Sequence, residues 1–147
     1  MSERGSVVEI NGPLVKVRLP HVRTGEQVSI GSLALTGEVL GRKGDEAIVQ
    51  VYESTETLRP GDAVVPLGHP LSVELGPGLL GRIFDGVQRP LDEISRLHGD
   101  TIPRGISVTS LDRETVWHFT PRPGLTVGEQ VSEGVSLGEV PETESIV

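Results

Sequence analysis

Short runs of β-branched residues separated by tight turns dominate the first half of this sequence, and they restrict the folds open to it. Residues 14–19 alternate apolar and polar side chains directly after an Asn-Gly-Pro turn at 11–13, and residues 46–52 continue the pattern. β-Branched side chains lose rotamer freedom in helices and pack well on a pleated sheet. Since period-two alternation is typical of a half-buried strand, the first half of the chain is predicted to consist of strands.

About six short strands are predicted before residue 68. A hairpin spans 6–19, and the other strands are expected at 27–30, 33–41, 46–52 and 63–67, with an Arg-Pro-Gly-Asp turn at 59–62. Because aromatic residues make up only 3% of the chain, aliphatic side chains must fill the core. The candidates include Val7, Val8, Ile10, Val15, Val17, Ile48, Val49, Val51, Val64 and Val65. Strands this short leave exposed edges unless they close, which favours a small barrel.

The pattern changes after Gly68. Apolar residues at helical spacing predict a helix over 79–85, and Pro90 at a first helical position predicts another over 90–97. Strands are expected again at 106–108 and 116–119, and 132–140 alternates weakly. Apolar residues at 146–147 finish the chain as an interrupted strand would, so a piece of a longer protein is expected.

Charge and composition exclude several classes of protein. The formal net charge is −8 and no basic patch is visible, which argues against nucleic-acid binding because phosphate contacts require clustered Lys and Arg. Without cysteine there are no disulfides and no thiolate metal sites. No apolar run approaches the ~20 residues that span a bilayer, and the first residues lack a signal-peptide core. A soluble, cytoplasmic chain without direct membrane insertion is predicted.

No nucleotide-hydrolysing motif is present. A P-loop needs Gly-x-x-x-x-Gly-Lys-Ser/Thr, and the two lysines, Lys16 and Lys43, lie in no such motif. The Gly-Pro-Gly run at 76–78 follows a predicted strand, so its backbone N–H groups could form an anion nest. Its spacing does not match a dinucleotide-binding pattern and Pro77 removes one donor, so a packing turn or hinge is the favoured interpretation.

Other chemistry-bearing side chains form no convincing constellation. The histidines lack metal-ligand spacing; they are His21, His69, His98 and His118. His118, between Trp117 and Phe119, fits a half-buried strand better than a site. Glu53 and Glu56 could pair as catalytic carboxylates, but a solvated loop before the 59–62 turn is favoured.

A hydroxyl and a carboxylate also occur together in the Ser-Leu-Asp-Arg run at 110–113, without a nearby His or a nucleophile elbow. No catalytic, cofactor-binding or metal-binding residue is therefore assigned, and no cofactor is expected in this chain.

Two long runs carry a family resemblance. Residues 68–80 read Gly-His-Pro-Leu-Ser-Val-Glu-Leu-Gly-Pro-Gly-Leu-Leu, and residues 83–91 read Ile-Phe-Asp-Gly-Val-Gln-Arg-Pro-Leu. Both closely resemble the catalytic A (alpha) subunits of V-type and archaeal-type rotary ATPases. Further segments similar to that family are 10–13, 48–55, 102–105, 111–113, 117–121 and 137–143. The agreement is poorer over 20–36 and over 56–58, both within the predicted barrel.

The resemblance implies a domain organisation. The implied fold is mainly β, and it begins with a six-stranded N-terminal β-barrel over 1–68. A short helical linking segment over 69–105 follows and leads to a nucleotide-binding domain that is absent from this chain. Residues 106–147 are then the start of the β-rich bulge (non-homologous) region. The bulge distinguishes A subunits from B subunits. In the family the P-loop, the catalytic Glu and the adenine pocket come later in the sequence, so this chain is predicted to be an N-terminal fragment that is inactive alone.

The resemblance also implies partners and an activity for the parent complex. Barrels of neighbouring A and B subunits form a hexamer ring, and the bulge contacts the peripheral stalk. The parent, peripheral to the membrane, couples ATP hydrolysis or synthesis to proton (hydrogen ion) or sodium transport, with ATP and Mg belonging to the full-length protein. Two other hypotheses stay open: a free-standing β-barrel module for protein interaction or ligand binding, and an independent enzyme using the glycines at 76–78.

Overall fold

The alternating stretches form the strands that they predict. A computed structural model describes residues 4–143, and in it six strands close into an antiparallel barrel with the order β1-β2-β5-β4-β3-β6. The strands are β1 (Gly5–Asn11), β2 (Leu14–Arg18), β3 (Glu26–Ile30), β4 (Leu35–Lys43), β5 (Glu46–Val51) and β6 (Ala63–Pro70). The predicted six-stranded barrel is confirmed, and it begins with the expected hairpin, whose turn has Gly12 in the left-handed region.

Aliphatic side chains fill the barrel interior. Val15 pairs with Val49, and Val17 with Ala47, so the inward positions of β2 and β5 meet on one face. The core consists of Val7, Val15, Val17, Leu19, Val22, Val28, Ile30, Leu35, Val39, Ala47, Val49, Val51, Leu58 and Val64. Full burial of such a side chain stabilises the fold by about 1.5–3 kcal/mol relative to exposure. A continuous aliphatic core therefore holds the barrel closed.

Four of the predicted core residues are not fully buried. Ile48 lies between inward-facing neighbours in β5 and is 39% exposed on the outer face. Val8, Ile10 and Val65 are partly exposed, although Ile10 packs against the core. Hydrophobicity identified these residues, but strand register decides which face each one occupies.

Three irregularities in register bend the barrel strands. They lie between Val7 and Glu9 in β1, between Glu26 and Val28 in β3, and between Val39 and Gly41 in β4. A bulge adds local twist and bends the strand that carries it. Such bends help a sheet of six short strands to close on itself.

One of the two predicted helices is present. Helix α1 (Leu91–His98) follows Pro90 and buries Ile94, which confirms the helix expected over 90–97. The helix predicted over 79–85 is wrong, because Gly81 has φ of 77° and interrupts the right-handed backbone that a helix requires. Ile83 of that stretch is 68% exposed, so its apolar spacing does not build a buried face.

The described chain divides into two compact units. Among the described residues, the first comprises 4–73 and Glu93–Val108, and the second comprises Glu74–Asp92 and 109–143. The domain limits predicted at 68 and 105 stay a prediction. Across residues 4–143, no helix has the length and apolarity that a bilayer crossing demands.

The second unit contains little regular structure. Its strands are β7 (Thr120–Pro121) and β8 (Gly138–Glu139), which pair with each other. The strands predicted over 106–108, in the first unit, and over 116–119 are wrong, and Val116 is 94% exposed, so alternation alone did not supply a pairing partner. The interrupted strand expected at 146–147 lies outside the described residues.

Candidate functional site

The two carboxylates considered as a catalytic pair have separate structural partners. Glu53 Oε2 accepts a hydrogen bond from the backbone N–H of Gly105 at 2.8 Å. Glu56 Oε2 accepts one from the Arg104 guanidinium at 2.6 Å, and that Glu side chain is 76% exposed. These bonds hold the 104–105 turn to the loop after β5, so both carboxylates serve the fold of the first unit.

The glycine run at 76–78 already contacts an anionic group. The backbone N–H of Gly78 donates to Glu142 Oε2 at 2.8 Å. A side chain at Gly76 would lie 3.0 Å from Leu111, and one at Gly78 would lie 3.3 Å from Trp117. The anion nest considered from the sequence is thus a packing turn whose donor binds a carboxylate of the same unit.

The serine and aspartate at 110–112 form turn contacts instead of a nucleophilic arrangement. Ser110 donates its hydroxyl hydrogen to the carbonyl oxygen of Gln88 at 3.0 Å. Asp112 accepts from the hydroxyl of Thr115 at 2.6 Å and from the backbone N–H of Glu114 at 2.8 Å. The bond from Thr115, with the backbone bonds, lowers the pKa of the Asp112 carboxyl despite some desolvation.

The histidines do not converge. His69 Nδ1 lies 2.9 Å from the carbonyl oxygen of Pro70, and His118 is exposed on irregular backbone. Between residues 4 and 143, no group of three or more His, Cys, Asp or Glu side chains is arranged to hold a metal ion.

Sequence reasoning missed a polar cluster around Gln88, which has φ of 60°. Its side-chain amide accepts from the backbone N–H of Glu74 at 2.5 Å and donates to the carbonyl oxygen of the same residue at 2.6 Å. The amide therefore forms with the Glu74 backbone the pair of hydrogen bonds that a neighbouring strand would form. Gln88 lies within the run 83–91 that carried the resemblance, but nothing in its local pattern distinguishes it from a solvated Gln.

An ion pair orders the turn next to Gln88. Asp85 accepts from the Arg89 guanidinium at 2.7 Å, from the Arg89 backbone N–H at 2.9 Å and from the Val87 backbone N–H at 3.0 Å. Burial alone would raise the pKa of Asp85, but these hydrogen bonds outweigh it and hold the pKa below its usual value. An ionised Asp85 thus fixes the 85–89 turn.

The outer face of β2, β5 and β4 exposes apolar side chains beside charged ones. Leu14, Leu40 and Ile48, together with Tyr52 directly after β5, are each between 39% and 47% exposed. A groove of about 460 Å³ crosses this face, and we call it the basic groove; it is lined by Lys16, Gly41, Arg42, Lys43, Glu46, Ala47 and Ile48. Exposed apolar side chains beside charged ones suit contact with another protein better than catalysis.

One ion pair lies within the basic groove. Lys16 Nζ is 2.8 Å from Glu46 Oε2, and both side chains remain more than a third exposed. Their hydrogen bond raises the pKa of Lys16 and lowers the pKa of Glu46, so both stay charged at neutral pH. Within residues 4–143, Arg42 and Lys43 form no ion pair and face solvent.

Two family models match the chain. Residues 7–68 match the ATP synthase alpha/beta family beta-barrel domain, the same stretch that forms the closed barrel. Residues 108–147 match the barrel-sandwich domain of ATP synthase alpha/beta subunits.

Curated relatives match along nearly the whole chain. The V-type ATP synthase alpha chain of Nitrosococcus oceani is 58% identical over 97% of this chain and 24% of the relative. The A subunit of the A-type ATP synthase of Methanopyrus kandleri is 49% identical over 99% of this chain and 24% of the relative. Its counterpart from Pyrococcus horikoshii is 46% identical over 100% of this chain and 15% of the relative. The chain thus spans a quarter or less of these relatives.

Proposed function

The chain belongs to the ATP synthase alpha/beta family, and from that premise we propose that it is the N-terminal assembly portion of the catalytic A subunit of a V/A-type rotary ATPase. One observation carries the proposal. The residues that match the family's barrel domain, 7–68, form a closed six-stranded barrel with an uninterrupted aliphatic core. A rigid barrel offers its outer face for assembly, because closure removes the strand edges through which sheets otherwise pair.

In this proposal, the partners of the chain are the other subunits of the parent complex. Neighbouring A and B subunits contact the barrel in a ring, and the peripheral stalk contacts the region from 106 onward. The complex lies at the cytoplasmic side of a membrane and couples ATP hydrolysis or synthesis to proton or sodium transport. The exposed apolar side chains on β2, β5 and β4 support an assembly role, since interfaces bury such residues among polar ones.

The chain itself neither binds nor hydrolyses ATP in this proposal. Phosphate binding by a P-loop requires a lysine that neutralises the phosphates, and Lys16 and Lys43 lie on barrel strands. In the 76–78 turn, the backbone N–H of Gly78 donates to Glu142. ATP and Mg therefore belong to the part of the parent protein beyond this chain.

Assembly is tested by co-expressing the full-length protein that contains this sequence with its B subunit. Native mass spectrometry should detect an alternating complex, and replacement of residues 7–68 by an unrelated barrel should abolish it. Titration calorimetry of the 147-residue chain with Mg-ATP should show no binding, whereas the full-length protein should bind. Micromolar ATP binding by the short chain, or normal assembly with the foreign barrel, would contradict the proposal and favour a free-standing binding module.

A further inference from the structure

Residues 99–108 follow helix α1 and return to the barrel, and we call them the return segment. Two polar contacts hold this segment to the loop after β5. The backbone N–H of Gly105 donates to Glu53 at 2.8 Å, and the Arg104 guanidinium donates to Glu56 at 2.6 Å. We call these two contacts the latch. The latch attaches to the barrel a segment that lies beyond the family's barrel match.

The barrel side of the latch is firmly held. Thr55 lies between the two latch carboxylates, and its hydroxyl donates to the carbonyl oxygen of Gly12 at 2.7 Å, which ties the loop to the tip of the first hairpin. Leu58, a few residues further on, belongs to the barrel core. Gly105 lies against the turn between β3 and β4, because an added Cβ would overlap the carbonyl oxygen of Leu33. The barrel therefore offers the return segment a fixed seat.

The return segment itself is held mainly by polar contacts at the surface. None of its ten residues is buried, and none lies in a helix or a strand. The Arg104 and Glu56 side chains are 39% and 76% exposed, so solvent and salt weaken their ion pair. Segments with few buried apolar contacts and exposed hydrogen bonds open at lower free energy than a packed core. When the latch opens, the return segment is the side that moves.

The latch sets the length of one connection between the two units. Three residues, 106–108, separate Gly105 from the second unit, whereas all ten residues of the return segment separate it from the end of α1. An extended chain of three residues spans about 11 Å at most, and one of ten residues spans about 35 Å. The chain also passes between the units at 73–74 and, within α1, at 92–93. Release of the return segment gives the third connection slack, so it no longer limits rotation of the second unit about the other two.

We propose that the contacts of Glu53 and Glu56 with the 104–105 turn form a releasable latch that limits the movement of the second unit relative to the barrel. This inference concerns motion within the chain, so it goes beyond the proposed assembly role and does not depend on it. The exposed ion pair makes the latch sensitive to salt, because the Debye length falls from about 8 Å at 0.15 M to about 3 Å at 1 M. The latch is therefore more open at high salt.

Hydrogen exchange of the Gly105 amide, followed by NMR in the 147-residue chain, measures opening of the latch. Glu56→Gln and Arg104→Gln should each speed this exchange about 2–5-fold, the factor that corresponds to loss of an exposed ion pair. The double variant should match either single variant, because both changes remove the same interaction. At 1 M salt the unaltered chain should approach the rate of the variants.

Asp100→Asn is the matched control for these variants. Asp100 lies in the return segment, is exposed, and forms no ion pair within residues 4–143, so its exchange rate at Gly105 should equal that of the unaltered chain. Amides of β2 and β5 should also keep their rates in every variant. An unchanged Gly105 rate in both single variants, or effects that simply add in the double variant, would overturn the latch.

Distances between spin labels test the movement of the second unit. Because the chain has no cysteine, labels on Lys43→Cys in β4 and on Val116→Cys, whose native side chain is 94% exposed, would be the only two. The distance distribution should broaden when Glu53→Ala and Arg104→Gln remove both latch contacts, and it should broaden in 1 M salt without them. Far-UV circular dichroism checks that the barrel is intact, and if this variant unfolds, the salt series decides. Faster exchange at Gly105 with an unchanged distance distribution would overturn the proposed restraint on the second unit.

Discussion

Gly105 is a position in the first unit where a side chain should disturb the fold. Its φ is 66°, and an added Cβ would overlap the carbonyl oxygen of Leu33. Gly105→Ala should therefore lower the free energy of unfolding by about 2–3 kcal/mol, the upper part of the range for strained backbone sites. Urea unfolding followed by far-UV circular dichroism measures the change.

Gly44 provides the control for that substitution. It has φ of 62° in the turn between β4 and β5, but a side chain there would meet nothing within 4 Å. Gly44→Ala should cost only about 1 kcal/mol, the ordinary penalty for a left-handed residue with a side chain. Equal losses for the two variants would show that the overlap with Leu33 has no energetic consequence.

Loss of the Gln88 amide should destabilise the second unit, because this amide forms hydrogen bonds with both the backbone N–H and the carbonyl oxygen of Glu74. Gln88→Glu keeps the acceptor for the Glu74 N–H but replaces the donor with a carboxylate that faces a carbonyl oxygen. We expect a loss of about 1–3 kcal/mol at neutral pH, the usual effect of leaving a partly buried polar group unpaired. Protonation at low pH restores a donor, so the variant should recover part of its stability as pH falls. Fluorescence of Trp117 during urea unfolding reports both effects.

The 85–89 turn gives the second unit an acid-sensitive element. Because the folded pKa of Asp85 is lowered, its contribution to stability is complete above its unfolded pKa of about 3.9 and is lost as pH falls through the folded value. Asp85→Asn should remove this dependence and cost about 1.5–3 kcal/mol at neutral pH. Acid titration of Trp117 fluorescence should then show a shallower loss in the variant. An unchanged acid profile would mean that other carboxylates control it.

The elements that the sequence predicted correctly are those whose signal is local. Residues 14–18 and 46–51 alternate every second position, and the strands follow them. The apparent helix at 79–85 failed because φ of Gly81 is set by the turn around it. Candidate carboxylates were found by residue type, but their partners lie far away in sequence: Glu53 binds Gly105, across 52 positions. Single-sequence patterns carry no information about such long-range contacts.

The two units differ most in how much apolar surface they bury. The barrel buries fourteen hydrophobic side chains in one cluster. Among the described residues of the second unit, Leu111 is the buried hydrophobic side chain, accompanied by Pro90, and the paired strands there are two residues long. Regions with few buried apolar contacts open at lower free energy than a packed core.

The second unit should therefore lose its structure before the barrel does. Trp117, the chain's single tryptophan, reports on the second unit, whereas far-UV circular dichroism reports mainly on the six barrel strands. In urea, the Trp117 transition should have the lower midpoint, and amides of residues 109–143 should exchange with solvent faster than those of β2 and β5. Non-coincident transitions are the accepted sign that unfolding is not two-state. Coincident curves with uniform amide protection would instead mean that both units unfold as one, so that the barrel's core also stabilises the segments outside it.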